Sequence, residues 1–334
     1  MKIIVDAFGG DNAPLEIIKG CAMAVEEYNF EILLVGDESK IRSVATENNI
    51  SLKNISIAHA DDVITMEDSP SDIMKSKKNS SMAEGLRRLK NNEGDAFISA
   101  GNSGALVVGA TMIVKRIKGI KRPAFAPVMP KNKGSFMLID SGANVECRPE
   151  MLKQFAIMGS IYMENVMNVA NPRVGLANIG VEDHKGTSLQ QETFKILKET
   201  DINFIGNVEA RDIPQDGADV VVADGFTGNI ILKMFEGVAM TLMGKIKGLF
   251  TKNLKTKLAA ALMLSDMKTL KKQIDYNEFG GAPIIGVSKP VFKAHGNAKA
   301  KTIKSALRLT ALYVEGNVVG KIEEELKKFD EVSK

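Results

Sequence analysis

Tryptophan is absent from this chain of 334 residues, and aromatics make up only 5% of it. Surfaces that read unpaired bases stack them on exposed aromatic rings. A nucleic-acid partner is therefore not expected. Cysteine is nearly absent as well. Cys21 and Cys147 cannot build a disulfide framework, which fits a reducing compartment. The three histidines, His59, His184 and His295, show no metal-ligand spacing, so neither a metal nor a cofactor is expected. No apolar run reaches the roughly 18 residues that a membrane-spanning helix needs. The opening Met1-Lys2-Ile3-Ile4-Val5 reads as a strand rather than the basic-then-apolar form of a secretory leader. A cytoplasmic location is the expectation that follows.

What is present is an ordinary globular composition, 44% apolar and 25% charged. Short apolar runs alternate with helix-period stretches. Strands are expected at Lys2–Val5, Glu31–Val35, Ile55–Ala58, Asp95–Ser99, Ala124–Val128, Phe136–Asp140, Arg173–Asn178, Asn203–Gly206 and Asp219–Val222. Runs such as Val220-Val221-Val222 are continuous rather than alternating, the pattern of strands covered on both faces of a parallel sheet. Helices are expected at Leu15–Glu26 after Pro14, Gly104–Lys115, Pro149–Met167 and Ser188–Glu199. A last helix, Lys299–Lys328, should break near Gly316. The alternation predicts an α/β fold, a three-layer α/β/α sandwich with a mostly parallel sheet, over a single domain, residues 1–334.

The charge is uneven. Between Lys245 and Lys272 stand eight lysines and one acid, Asp266, so a window of +7 sits in a chain of +3. Residues 245–275 fall outside the βα rhythm and read as an inserted pair of amphipathic helices. Leu249, Phe250, Leu254, Leu258 and Leu262 share one face, while Lys247, Lys252, Lys255 and Lys257 crowd the other sides. Ser265-Asp266 can cap a second helix carrying Met267, Leu270 and Ile274. Such a pair is either core packing, at a dimer contact or in a bundle, or a surface for anionic membrane or an acidic protein. On the second reading Leu254, Leu258 and the four lysines make the contact, and the protein is peripherally membrane-associated.

In open α/β sheets ligands bind at the carboxyl ends of the strands. Four such ends are glycine-rich and polar: Asp6-Ala7-Phe8-Gly9-Gly10-Asp11, Ser99 to Gly104, Asn178 to Thr187, and Asp224 to Asn229. Glycine lets backbone amides approach an anion, and the following helix N-terminus favours negative charge. A phosphate-type ligand is expected there. Neither a Walker A loop nor the dinucleotide glycine spacing is present, which disfavours ATP and NAD.

Taken in order, these motifs resemble the bacterial phosphate acyltransferase family nearly end to end. The match includes Val5–Asp11, Asp68-Ser69-Pro70 with Lys75, Lys77 and Lys78, Ser99–Ala105, Arg122-Pro123-Ala124 and Asp140–Asn144. It continues through Lys185-Gly186, Gly206–Asp212, Ala223–Asn229, Gly280–Pro283 and His295-Gly296. Ser103 stands where threonine is expected and Thr187 where asparagine is, and both keep a polar hydrogen-bonding group. The resemblance implies transfer of a fatty acyl group from acyl-carrier protein to inorganic phosphate, giving an acyl phosphate for phospholipid synthesis. It implies a homodimer, no metal, and a fold similar to phosphotransacetylases and isocitrate-type dehydrogenases. It also implies that the catalytic pair falls on Lys185 and Asn229.

The residues themselves support that placement. Lys185 at a strand end can hold phosphate or a developing oxyanion, and Asn229 at a helix start can donate to one. His184 is a helper at most. Asp6, Gly9, Gly10, Asn102, Ser103, Asn144, Thr227 and Gly228 are the expected substrate-binding positions. The strand-end carboxylates Asp6, Asp140 and Asp224 are expected to orient lysines or cap loops rather than bind a metal. Cys147 is expected to be inert. The rival readings are a phosphotransacetylase acting on short acyl-CoA and a non-catalytic lipid- or carrier-binding protein.

Overall fold

The computed structural model describes residues 1–267 and 280–332. Two sheets carry the architecture. The larger takes β1 (Lys2–Asp6), β2 (Glu31–Gly36), β3 (Ile55–His59), β4 (Ala96–Ser99), β5 (Ala124–Phe125) and two late strands, Gly281–Ile285 and Val291–Ala294. Its order is β3-β2-β1-β4, then Val291–Ala294, Gly281–Ile285 and β5, parallel except at the last two pairings. The smaller takes β6 (Val128–Pro130), β7 (Ser135–Ile139), β8 (Val174–Asn178), β9 (Phe204–Glu209) and β10 (Val220–Val222). Its order is β6-β7-β10-β8-β9, parallel but for β6.

The expected α/β class and parallel character hold, but the strands divide between two sheets. The division falls inside Ala124–Val128, expected as one strand. Pro127 has no N–H to give to a ladder. Ala126 instead donates to Pro283 of the larger sheet at 3.2 Å, and the Pro127 carbonyl accepts from Leu138 of the smaller at 3.0 Å. The chain therefore leaves one sheet and enters the other within two residues.

Helices cover the faces. α1 (Leu15–Tyr28) follows Pro14 and ends at Asn29 in the left-handed conformation, a common stop. α2 (Glu38–Glu47) is capped by Asp37 and α3 (Ser81–Lys90) by Ser80. α4 (Ser103–Gly109) passes into a π turn, Ala110–Val114. α5 (Pro149–Asn165) buries Leu152, Phe155, Ala156, Met158 and Tyr162. α6 (Ser188–Lys198) opens with a Thr187–Gln190 capping box. The C-terminal helix breaks where expected, at Glu315 before Val318.

The insert differs from its expected bounds. α7 runs unbroken from Gly225 to Thr251, so the stretch from Lys245 continues a helix that begins at the strand end. α8 (Leu254–Leu262) follows, capped by Asn253. Ser265 and Asp266 lie within a helical turn, residues 264–267, that follows α8, rather than ahead of it as a cap, and Leu270, Ile274 and the lysines at 268, 271 and 272 lie outside the described residues. Among α7 residues only Gly225 and Gly228 are buried, and α8 buries none.

At the amino-terminal edge of the smaller sheet, Lys131 reaches Asp219 at 2.6 Å, and the Arg173 guanidinium meets the same carboxylate at 3.1 Å. The Lys131 side chain is only 3% exposed. Despite its burial, these partners hold Asp219 at a pKa of about 2. A carboxyl depressed on folding contributes stability that is complete above its unfolded pKa of about 4 and is lost as pH falls through its folded value. Asp219→Asn should therefore lower stability at pH 7 by about 2 kcal/mol. The gap to wild type should narrow as pH falls from about 4 toward 2. Parallel pH–melting curves for the two proteins would contradict this.

Candidate active site

The carboxyl ends of β7, β10 and β8 lie side by side, and each launches one part of the site. After β7 comes a loop held by a buried carboxylate. Asp140 accepts from the backbone N–H of Phe125 (2.9 Å), Gly142 (3.2 Å), Ala143 (3.1 Å) and Asn144 (2.6 Å), and from Asn144 Nδ2 at 3.0 Å. Burial pushes its carboxyl up, and these donors oppose the shift. Asn144 also donates to the Pro123 carbonyl. This expected substrate residue therefore shapes the loop.

After β10, Asp224 caps α7 by accepting from Thr227 N and Thr227 Oγ1, both at 2.8 Å. Thr227 is thus engaged in the cap. The first turn of α7 presses onto the β7 loop. A Cβ on Gly228 would lie 1.9 Å from the Asp140 carbonyl oxygen, and one on Gly142 would lie 2.9 Å from Asn229 Nδ2. The contact seats Asn229 over the loop, where its amide donates to the Ser141 carbonyl at 3.1 Å. A primary amide has two N–H groups, so a second is left for a ligand.

After β8, the loop carries His184 and Lys185. Lys185 N donates to the Glu182 carbonyl at 3.1 Å, its own carbonyl accepts from Asn178 Nδ2 at 3.1 Å, and its stem lies across Gly180. His184 is exposed and accepts from Gln191 through its carbonyl.

A cleft of about 460 Å³ opens where these ends face the larger sheet. Asn229, Ser103, Ser141 and Gly142 line it, as do Lys293, Lys233, Glu236, His295 and Asp11. Phe125, Pro127, Val128, Met129 and Leu232 supply an apolar side. Lys185 and His184 are not among its lining residues; they stand one strand away along the same edge. Behind the cleft, Asp6 is buried and accepts from Ser81 Oγ and Ser99 Oγ, each at 2.6 Å. Gly9 packs against Gly101 and Ser99, and Gly10 against the Gly296 carbonyl. Asn102 caps α4 and donates to the Thr65 and Asp68 carbonyls. The three strand-end aspartates thus hold loops, caps and serine hydroxyls.

Lys293, Lys233 and Glu236 were not expected from the sequence, where lysines and glutamates usually signal solvent. Glu236 is largely buried. Lys233 at 2.9 Å and His295 at 3.9 Å hold its carboxyl below the ordinary range against the effect of burial. The available signal was the His295-Gly296 turn, another polar, glycine-containing strand end. Cys21 is fully buried. Cys147 is half-buried, and burial pushes its thiol up to about 12, far from a reactive thiolate.

The family model described as "Fatty acid synthesis protein" matches residues 1–321. Phosphate acyltransferases of Acetivibrio thermocellus and Thermoanaerobacterium thermosaccharolyticum are 48% and 46% identical to the chain. The alignments cover 97% of this chain and 96% of the first relative, and 98% and 97% for the second. The chain belongs to the phosphate acyltransferase family. Membership makes it an enzyme that transfers acyl groups to phosphate. Among solved structures, the EutD phosphotransacetylase from Staphylococcus aureus matches 94% of each chain with a TM-score of 0.62 at 17% identity. A phosphotransacetylase from Streptococcus pyogenes does so with a TM-score of 0.63 at 16% identity. At that identity the likeness concerns the fold, and it agrees with the fold the sequence motifs implied.

The Gly228 contact yields a direct test. Gly228→Ala puts a methyl group into a backbone carbonyl that cannot move without disturbing the Asp140 loop. The variant should lose about 1–3 kcal/mol of stability, the usual cost of overpacking. It should also lose activity beyond what the loss of folded protein explains. Wild-type denaturation and turnover would show that α7 does not seat as described.

Proposed function

We propose that the chain moves a long-chain fatty acyl group from acyl-carrier protein to inorganic phosphate, with Lys185 and Asn229 as the catalytic pair. The observation that carries this reading is Asn229 itself. It stands at the N-terminus of α7 with one amide N–H fixed on Ser141 and the other left over in a cleft that is polar on one side and apolar on the other.

In the proposed reaction a phosphate oxygen attacks the thioester carbonyl carbon, and the carbonyl π electrons move onto oxygen. Asn229 Nδ2 and the positive end of α7 stabilise that oxyanion. The intermediate collapses, the C–S bond breaks, and the pantetheine sulfur leaves as thiolate and takes a proton from water. The product is a mixed anhydride of fatty acid and phosphate. Lys185, on the adjacent strand end, steadies the phosphate charge. Phe125, Val128, Met129 and Leu232 form the apolar wall along which the acyl chain begins. Both reactants are intrinsically capable, so positioning supplies much of the rate.

The remainder of α7 and α8 gives the proposed partners. Phe226, Ile230, Met234, Val238 and Leu242 repeat at four-residue spacing and are 48–65% exposed. A stripe that long supports burial against a second copy in a homodimer. Leu254, Leu258 and Leu262 on α8 are 67–85% exposed, with Lys247, Lys252, Lys255 and Lys257 nearby in sequence. This supports reversible contact with anionic membrane, where the labile acyl phosphate is best handed on.

Palmitoyl-carrier protein incubated with phosphate and the enzyme should yield acyl phosphate, trapped as hydroxamate by hydroxylamine. Lys185→Ala and Asn229→Ala should each lower turnover by ~10²–10³-fold while remaining folded. Near-wild-type rates in both would remove the proposed pair. The protein should also co-sediment with anionic vesicles at low salt. Leu254→Glu with Leu258→Glu should release it without loss of activity on soluble substrate. Wild type left in the supernatant at low salt would contradict membrane contact.

A further inference from the structure

Lys293 sits on the strand Val291–Ala294 of the larger sheet, across the cleft from the Asn229 loop, and has no role in the chemistry above. Its placement is unusual for a lysine. The side chain is half-buried rather than extended into solvent, and it lines the cleft. Its ammonium donates to the Ala100 carbonyl at 2.9 Å and to the Ala294 carbonyl at 2.5 Å. An ammonium carries three N–H groups. Two are fixed on carbonyl oxygens, which orients the third.

The surroundings suit an anion that comes and goes. Asp6 and Asp11 act on Lys293 through space, but Asp6 is already engaged by the Ser81 and Ser99 hydroxyls. No salt bridge to Lys293 is found among the described residues. The other charged side chains lining the cleft are Lys233 and Glu236, hydrogen-bonded to each other at 2.9 Å, and His295, 3.9 Å from Glu236. Lys293 is thus a half-buried cation with one N–H to spare and, among the described residues, no carboxylate in salt-bridge contact, Asp6 and Asp11 acting only through space. A charge of this kind is costly unless a ligand completes its shell.

We propose that Lys293 is a phosphate-binding residue of this site, its carbonyl-anchored ammonium holding an oxygen of the inorganic phosphate that attacks the thioester. The assignment rests on the acyl-transfer reading given above and adds to it the group that seats the nucleophile. It gives the phosphate a contact on the larger sheet, facing Lys185 and the oxyanion donor on the smaller. The reacting atoms then meet between the two sheets. The same cation suits the phosphodiester of a pantetheine arm, so the test separates the two sources of phosphate.

Burial holds the Lys293 ammonium down to about 8, with Asp6 and Asp11 opposing that effect and Lys233 adding to it. The lysine is charged below that value and neutral above it. Inorganic phosphate binding, measured by titration calorimetry on the whole wild-type protein, should therefore be constant in affinity from about pH 7.5 to 8. Above the lysine pKa it should weaken by up to about tenfold per pH unit, although phosphate itself is already a dianion there. An affinity independent of pH between about 8 and 9.5 overturns the proposal without any variant.

Lys293→Met should raise both the dissociation constant and the KM for phosphate by about tenfold or more, the scale of one charge-assisted hydrogen bond. The KM for the acyl donor should stay within about twofold of wild type. An unchanged phosphate KM overturns the assignment. A raised donor KM with phosphate unaffected overturns it in favour of the pantetheine arm. Should Lys293→Met fail to fold, the wild-type pH series decides. A protein that binds phosphate in this pH-dependent way but makes no acyl phosphate would retain this inference and remove the acyl-transfer reading.

Discussion

One buried carboxylate joins the two halves of this molecule. Asp140 ends a strand of the smaller sheet, and among its donors is the N–H of Phe125 in the larger sheet, with the others drawn from the three residues Gly142–Asn144. A carboxylate with no exposure is costly unless its lone pairs are occupied. Here five donors occupy them, and together they fix the loop. The Asp140 carbonyl then sets how near α7 can come, and only a glycine at position 228 allows the approach seen. Asn229 is aimed as a consequence of that packing.

The division into two sheets gives the site its chemical asymmetry. The smaller sheet contributes the helix N-terminus, Asn229 and the Lys185 loop at adjacent parallel strand ends. The larger contributes Ser103, Lys293 and the His295 turn. Charged and apolar side chains both line the cleft, as the proposed transfer of a fatty acyl group to phosphate requires. The helix that carries Asn229 in its N-terminal part, α7, runs for 27 residues and leaves its apolar stripe uncovered, so the site and the proposed dimer surface lie on one helix.

Much of this was legible in the sequence, and each failure has a physical reason. Val220–Val222, Ile3–Val5 and Phe136–Ile139 announce themselves because strands covered on both faces need no polar alternation. The strand Gly281–Ile285 was missed because its glycine and proline are turn residues in most settings. It is a short antiparallel strand near the sheet edge. The start of the helical pair was placed at Lys245 because the charge changes there, whereas the helix starts at the Asp224 cap. Gly237, Gly244 and Gly248 interrupt its pattern, and their Cβ positions face open space. No periodicity could say that Ala124–Val128 is shared between sheets, since that depends on what pairs with each half. Lys293 was invisible for a similar reason: a lysine in a strand reads as a solvent-facing position until the structure shows it half-buried against the cleft.

The central claim is that phosphate attacks the thioester directly in the cleft between the sheets, with no acyl group stored on the protein. Intact-mass measurement after mixing enzyme and long-chain acyl-carrier protein without phosphate tests it directly. The account predicts unmodified enzyme, no stoichiometric burst of free carrier thiol, and product only when phosphate is added. An acyl adduct on the enzyme, formed with a matching thiol burst and discharged by phosphate, would contradict it.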